Sequence, residues 1–176
     1  MDQILADRVT DVPRSFLREI LKVALEPNMI SFAGGLPSRE LFPLEELKAA
    51  TNKVFDTEGA DALQYANSEG FLGLREWVAQ RYRDQQGLDI DPEHVLITNG
   101  SQQGLDLIGK TLLNDGDDVV LEAPGYLGAI QAFSLYRAAF RSVRLNNDGI
   151  DIPQLAETLQ AYDPKVYYAV PNFQNP

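Results

Sequence analysis

The turn Asn99-Gly100-Ser101-Gln102-Gln103 carries the plainest chemistry in the chain. It follows an apolar run at residues 95–98 and precedes helical spacing over residues 101–113, so the sequence predicts a strand passing into a helix through a glycine and a serine. At a helix start the first backbone N–H groups lack intrahelical partners, and the positive end of the dipole lies with them. Ser101, Gln102 and Gln103 are therefore candidates to hold a phosphate, with Gly100 allowing close approach. The carboxyl end of a strand is also where open α/β sheets bind ligands. A plainer reading uses the same residues: Ser101 only caps its helix. Neither a dinucleotide fingerprint nor a P-loop is present.

Other chemistries are closed to this chain. With no cysteine there is no disulfide, thiolate nucleophile or sulfur metal site, and a single histidine, His94, rules out a histidine-rich metal site. A formal net charge of −11 opposes binding to nucleic acid or an anionic membrane, leaving small molecules and protein surfaces as the expected partners. The start of the chain mixes acids and bases through its apolar residues and holds no apolar stretch of about 20 residues, so a cytoplasmic location is expected.

The elements that must position the turn follow from periodicity. Residues 12–25 place Phe16, Leu17, Ile20, Leu21 and Leu25 at helical spacing, with Arg14 and Arg18 one turn apart. Residues 28–43 carry two glycines and two prolines and predict an extended arm. Helices are expected at 44–55 and 73–86, the second with Leu74, Trp77, Val78 and Tyr82 on one face, and a loop at 65–70. Beyond residue 113, apolar runs at 119–121, 140–145 and 166–170 alternate with helical patterns at 126–138 and 153–161. That alternation predicts an α/β fold with a mainly parallel sheet.

Four segments, taken in order, resemble one family: Ser31-Phe32-Ala33-Gly34-Gly35-Leu36-Pro37; Leu63-Gln64-Tyr65 with Glu69-Gly70 and Leu74-Arg75; Thr98 to Gln103; and Pro171-Asn172-Phe173-Gln174-Asn175-Pro176. The family is the fold type I, pyridoxal-phosphate (PLP) dependent aminotransferases of class I/II, in the branch with 2-aminoadipate and kynurenine aminotransferases. The resemblance implies a three-layer α/β/α domain, of which this chain is the N-terminal portion. Residues 1–43 would be a helix and a substrate-covering arm, and 44–176 part of the PLP-binding domain.

By the same resemblance Ser101 and Gln102, with Gln103 beside them, would bind the cofactor phosphate, and Tyr126 would stack on the pyridine ring. Asn175 would hydrogen-bond the phenolic oxygen. Tyr65 would reach the phosphate of a neighbouring subunit, which implies a homodimer with shared sites. Gly34, Gly35 and Leu36 would lie over the substrate. Each has a plainer alternative: a packing tyrosine at 126, an Asn-Pro turn at 175, a tyrosine covering the sheet at 65, turn glycines in the arm and surface arginines at 14 and 18.

The implied reaction moves an amino group from an α-amino acid to a 2-oxo acid. None of the five lysines (Lys22, Lys48, Lys53, Lys110, Lys165) sits in the serine-rich context of the family's covalent lysine, so the chain is expected to end before that residue and to be inactive alone. Alternatives are another fold type I enzyme such as a β-lyase, or a non-catalytic binding or interaction module. A part-built sheet would also expose apolar surface and favour association.

Overall fold

The computed structural model describes residues 4–10, 12, 30 and 37–174. The expected helix at 12–25, with Arg14 and Arg18, and the glycines of the arm lie outside the described residues. The chain forms two compact units, Leu36–Thr98 and Asn99–Pro176 with Met1–Gly35. A one-turn helix, α1 (Asp7–Thr10), belongs to the latter.

The first unit is helical. Helix α2 (Leu44–Glu58) ends at Gly59, and helix α3 (Leu72–Gln86) ends at Gly87, whose φ of 67° gives the left-handed cap that glycine tolerates. The expected apolar face of α3 is not its buried face. Arg75 and Ala79 are buried, whereas Leu74, Trp77 and Tyr82 are exposed. Arg75 is buried because its guanidinium is satisfied: Nε donates to the carbonyls of Val95 (3.0 Å) and Pro92 (3.1 Å), and Nη2 to Pro92 (2.9 Å).

The same bonds explain a second correction. Residues 95–98, predicted as a strand, pair with no described strand. Their backbone groups find partners elsewhere, since Val95 O accepts from Arg75 and Ile97 N donates to Glu69 O at 2.9 Å.

The second unit is the α/β body. Helix α4 (Ser101–Leu112) leads through a turn to strand β1 (Asp118–Ala123), helix α5 (Leu127–Ser134) and strand β2 (Ala139–Asn146). Strand β3 (Gly149–Ile150), helix α6 (Ile152–Ala161) and strand β4 (Val166–Tyr168) complete it. The sheet order is β3-β2-β1-β4; β1 runs parallel to β2 and β4, and β3 closes an antiparallel hairpin on β2. This is the expected α/β architecture with a mainly parallel sheet.

Strand β1 is the centre. Val119, Val120 and Leu121 are consecutive and buried, the pattern of a strand covered on both faces. Val119 and Leu121 meet Leu105 of α4 and Ala129, Ala132 and Phe133 of α5. Their register partners Phe140, Val166 and Tyr168 pack on the same cluster. The opposite face carries Asp118, Val120 and Glu122 by alternation, beside Arg141, Val143 and Tyr167. Helix α6 covers β2, and Arg141 both pairs with Asp118 (2.7 Å) and stacks 4.0 Å above the ring of Tyr162. Close packing between α4 and α5 needs Gly109, where a Cβ would stand 2.5 Å from the ring of Tyr136. No described helix is long and apolar enough to cross a membrane.

Asp117 ties β1 to its neighbours. Its carboxylate accepts from Asn114 N (2.6 Å) and from Lys165 Nζ (2.6 Å), while its carbonyl accepts from Ala139 N (2.9 Å). The bond from Lys165, then the one from Asn114, holds the carboxyl below its ordinary value of 3.8. A depressed folded value means that the pair's stabilisation is present above 3.8 and is lost as pH falls through the lower folded value. Lys165→Met should therefore lower the urea midpoint at neutral pH, and the gap from wild type should close in buffers well below pH 3.8. A gap that persists in acid would show that the ion pair is not its source.

Candidate functional site

The site is built where two helices start beside the carboxyl end of β1. Gly100 is the N-cap of α4, with φ 81° and ψ 168°, a backbone region open almost only to glycine. A Cβ there would meet nothing within 4 Å, so conformation rather than crowding requires the glycine. Ser101 is thus the first helical residue and not the cap, and Gly100, the N-cap, has no side chain to accept from the helix's first N–H groups. The plainer sequence reading of Ser101 is corrected accordingly.

The two glutamines are turned to other tasks. Gln103 reaches back, its Oε1 accepting from Asn99 N at 2.6 Å, which fixes the chain entering the helix in the manner of a capping box. Gln102 reaches sideways, and its Nε2 donates to Gly128 O at 3.2 Å, linking the start of α4 to that of α5. What α4 presents outward is its backbone N–H groups at 101–103 and the exposed Ser101 hydroxyl. That donor set, at the positive end of a 12-residue helix, suits a phosphate.

Tyr126 stands next to this cradle. It is the N-cap of α5, where its carbonyl accepts from Ala129 N (3.1 Å) and Ile130 N (3.2 Å). The half-buried ring lies across Gly128: a Cβ on that glycine would sit 2.6–2.8 Å from Cε1, Cζ and Oη of Tyr126. The glycine that accepts from Gln102 is therefore the one that lets the aromatic ring lie down. Gly125 has a similar constraint, with its Cβ direction 2.5 Å from Glu122 O.

Sequence reasoning assigned no role to Glu122. It closes β1 with only 7% of its surface exposed, and its Oε2 accepts from Val170 N (3.0 Å) and Gln174 Nε2 (3.4 Å). The available cue was a carboxylate ending the apolar run Val119-Val120-Leu121. Tyr167, exposed, and Tyr168, half-buried, both on β4, have hydroxyls pushed above the ordinary tyrosine value of 10.0, first by partial burial. Glu122 adds to both, and Tyr126 adds to Tyr168. Both phenols therefore stay protonated at neutral pH.

Ser101, Gln102, Gln103 and Tyr126 are thus brought together within one unit. Tyr65 belongs to the other unit and is fully exposed. Gly34, Gly35, Leu36 and Asn175 lie outside the described residues, although Gln174, next to Asn175, is anchored at the end of β1. Among the described residues there is no cluster of three metal-binding side chains.

The model of the aminotransferase class I and II family matches residues 27–176. This chain belongs to that family. The 2-aminoadipate transaminase of Thermus thermophilus is 46% identical over 165 residues, covering 94% of this chain and 40% of that protein. The crystal structure of α-aminoadipate aminotransferase from the same organism, complexed with N-(5′-phosphopyridoxyl)-L-leucine, superposes with a TM-score of 0.85 at 42% identity, over 99% of this chain and 42% of that one. The kynurenine aminotransferase of Pyrococcus horikoshii gives a TM-score of 0.88 at 38% identity, over 99% and 44%. The chain thus spans about two fifths of the length of these relatives.

Gly100→Ala in this aminotransferase-family chain should cost about 1–3 kcal/mol, the strain of placing a side chain at that backbone conformation. Urea unfolding measures it. A neutral effect would mean that the turn relaxes without cost and is not held open.

Proposed function

We propose that this chain forms the phosphate-gripping and ring-stacking part of an aminotransferase that moves an amino group from an α-amino acid to a 2-oxo acid through PLP. The observation that carries the reading is the start of α4, left without a side-chain cap while Gln102 and Gln103 bond elsewhere, beside the ring of Tyr126. Such a donor set fits a dianion, and the adjacent ring offers a flat face to a heterocycle.

When bound, PLP supplies an electron sink for the bonds at the amino acid's Cα. The residues here bind and orient it. Backbone N–H groups of 101–103 and the Ser101 hydroxyl hold the phosphate, Tyr126 stacks on the ring, and Asn175 donates to the phenolic oxygen. Tyr65, exposed as it is, suits a reach to the phosphate of a second copy in a homodimer. Gly34, Gly35 and Leu36, in the arm of residues 1–43, cover the amino-acid substrate, and 44–176 forms part of the PLP-binding domain.

Among the described residues Lys48, Lys110 and Lys165 are each paired with a carboxylate, from Glu45, Asp106 and Asp117 respectively. The exposed Leu44, Leu47, Val54 and Phe55 of α2 favour burial of that helix in an assembly.

Equilibrium dialysis against PLP and against unphosphorylated pyridoxal tests the reading. Ser101→Ala should weaken PLP about tenfold, the loss of one hydrogen bond to a charged acceptor, and leave pyridoxal unchanged. Equal loss for both ligands, or none, contradicts it.

A further inference from the structure

The strongest unexplained feature is a buried carboxylate at the end of β1. Glu122 lies on the face of β1 that carries Val120, beside Val143, and has 7% of its surface exposed. No described cation pairs with it; its bonds go to a backbone N–H and a side-chain amide. Desolvating a carboxylate is costly unless its lone pairs are used, so a carboxylate at this place must hold something in position.

What it holds is the segment leaving β4. Val170 N donates to Oε2 at 3.0 Å, and Gln174 Nε2 donates to the same oxygen at 3.4 Å and to Pro124 O at 3.0 Å. Both partners of that amide group accept only, which fixes the orientation of the Gln174 amide: the NH2 faces Glu122 and Pro124. Its Oε1 is buried and has no partner among the described residues. The segment 170–174 is thus pinned at two points, 48 and 52 residues from Glu122 in sequence, and the second immediately precedes Asn175. Pro124, the third contact, lies two residues before Tyr126.

We propose that Glu122 is a positioning residue: through Val170 and Gln174 it fixes the segment leaving β4, and so the chain that carries Asn175, to which the cofactor reading gives the phenolic oxygen. The proposal rests on the cofactor reading above. Its chemical content is selective, because the phosphate grip at α4 uses neither Glu122 nor Gln174. Losing Glu122 should therefore weaken recognition of the phenolic oxygen and spare recognition of the phosphate.

The test uses the full 176-residue chain and three probes: PLP, 3-deoxypyridoxal 5′-phosphate, which lacks the phenolic oxygen, and inorganic phosphate. Glu122→Leu should bind PLP about tenfold more weakly, with the other two affinities unchanged. Glu122→Gln keeps a carbonyl acceptor and should lose less than about threefold. Gln174→Leu leaves the carboxylate in place and should reproduce the selective loss even if Glu122→Leu folds poorly. Equal weakening of all three probes overturns the proposal in favour of general stabilisation, and unchanged PLP affinity overturns it outright.

Amide exchange at Val170, followed without ligand, separates the clamp from the cofactor reading. Slow exchange in wild type that becomes fast in Glu122→Leu supports the clamp, whereas fast exchange in wild type removes it whatever the ligand does. A wild type with a slowly exchanging Val170 that binds neither PLP nor phosphate overturns the cofactor reading instead, and with it the role given to Asn175.

Discussion

A helix that begins without a side-chain cap leaves N–H donors for something else to satisfy, and the arrangement around α4 depends on that need. The two side chains best placed to answer it are drawn away, Gln103 to the entering chain and Gln102 to the neighbouring helix. Gly100 holds the backbone in a conformation that keeps the approach clear of side-chain atoms. An anion is the partner with the charge and oxygens to fit, and a family whose solved members include one bound to a phosphopyridoxyl compound supplies the class of ligand.

The cradle is held in place by β1. Its central residues are buried on both sides, so neither layer of helices can shift without disturbing the other. Leu105 anchors α4 and Phe133 anchors α5 on one face of the strand, and Gln102 then joins their starts. On the other face Glu122 reaches the segment that leaves β4. One strand end thereby organises the start of α4, an aromatic ring and the chain next to Asn175.

Much of this was legible in the residues. The alternation of short apolar runs with helical spacing was enough for a mainly parallel α/β sheet, since both periods are long-range consequences of burial. The turn from Gly100 into the helix at Ser101 was legible because glycine and serine are favoured at a helix start. The run at 95–98 misled because apolarity alone does not say whether a ladder partner exists, and here Arg75 and Glu69 satisfy the backbone instead. The buried face of α3 misled for a related reason: Arg75 is the wrong residue type for burial unless three hydrogen bonds formed 17 and 20 residues away are known. Glu122 was missed because its partners are distant in sequence and one of them is a backbone amide.

Whether the start of α4 grips phosphate decides the rest. Titrating an isotopically labelled sample of this chain with inorganic phosphate, and following each backbone amide by two-dimensional nuclear magnetic resonance, addresses it directly. Saturable shifts centred on the amides of Ser101, Gln102 and Gln103 are the predicted result. Amides there that stay still while others move, or that never respond, would contradict it.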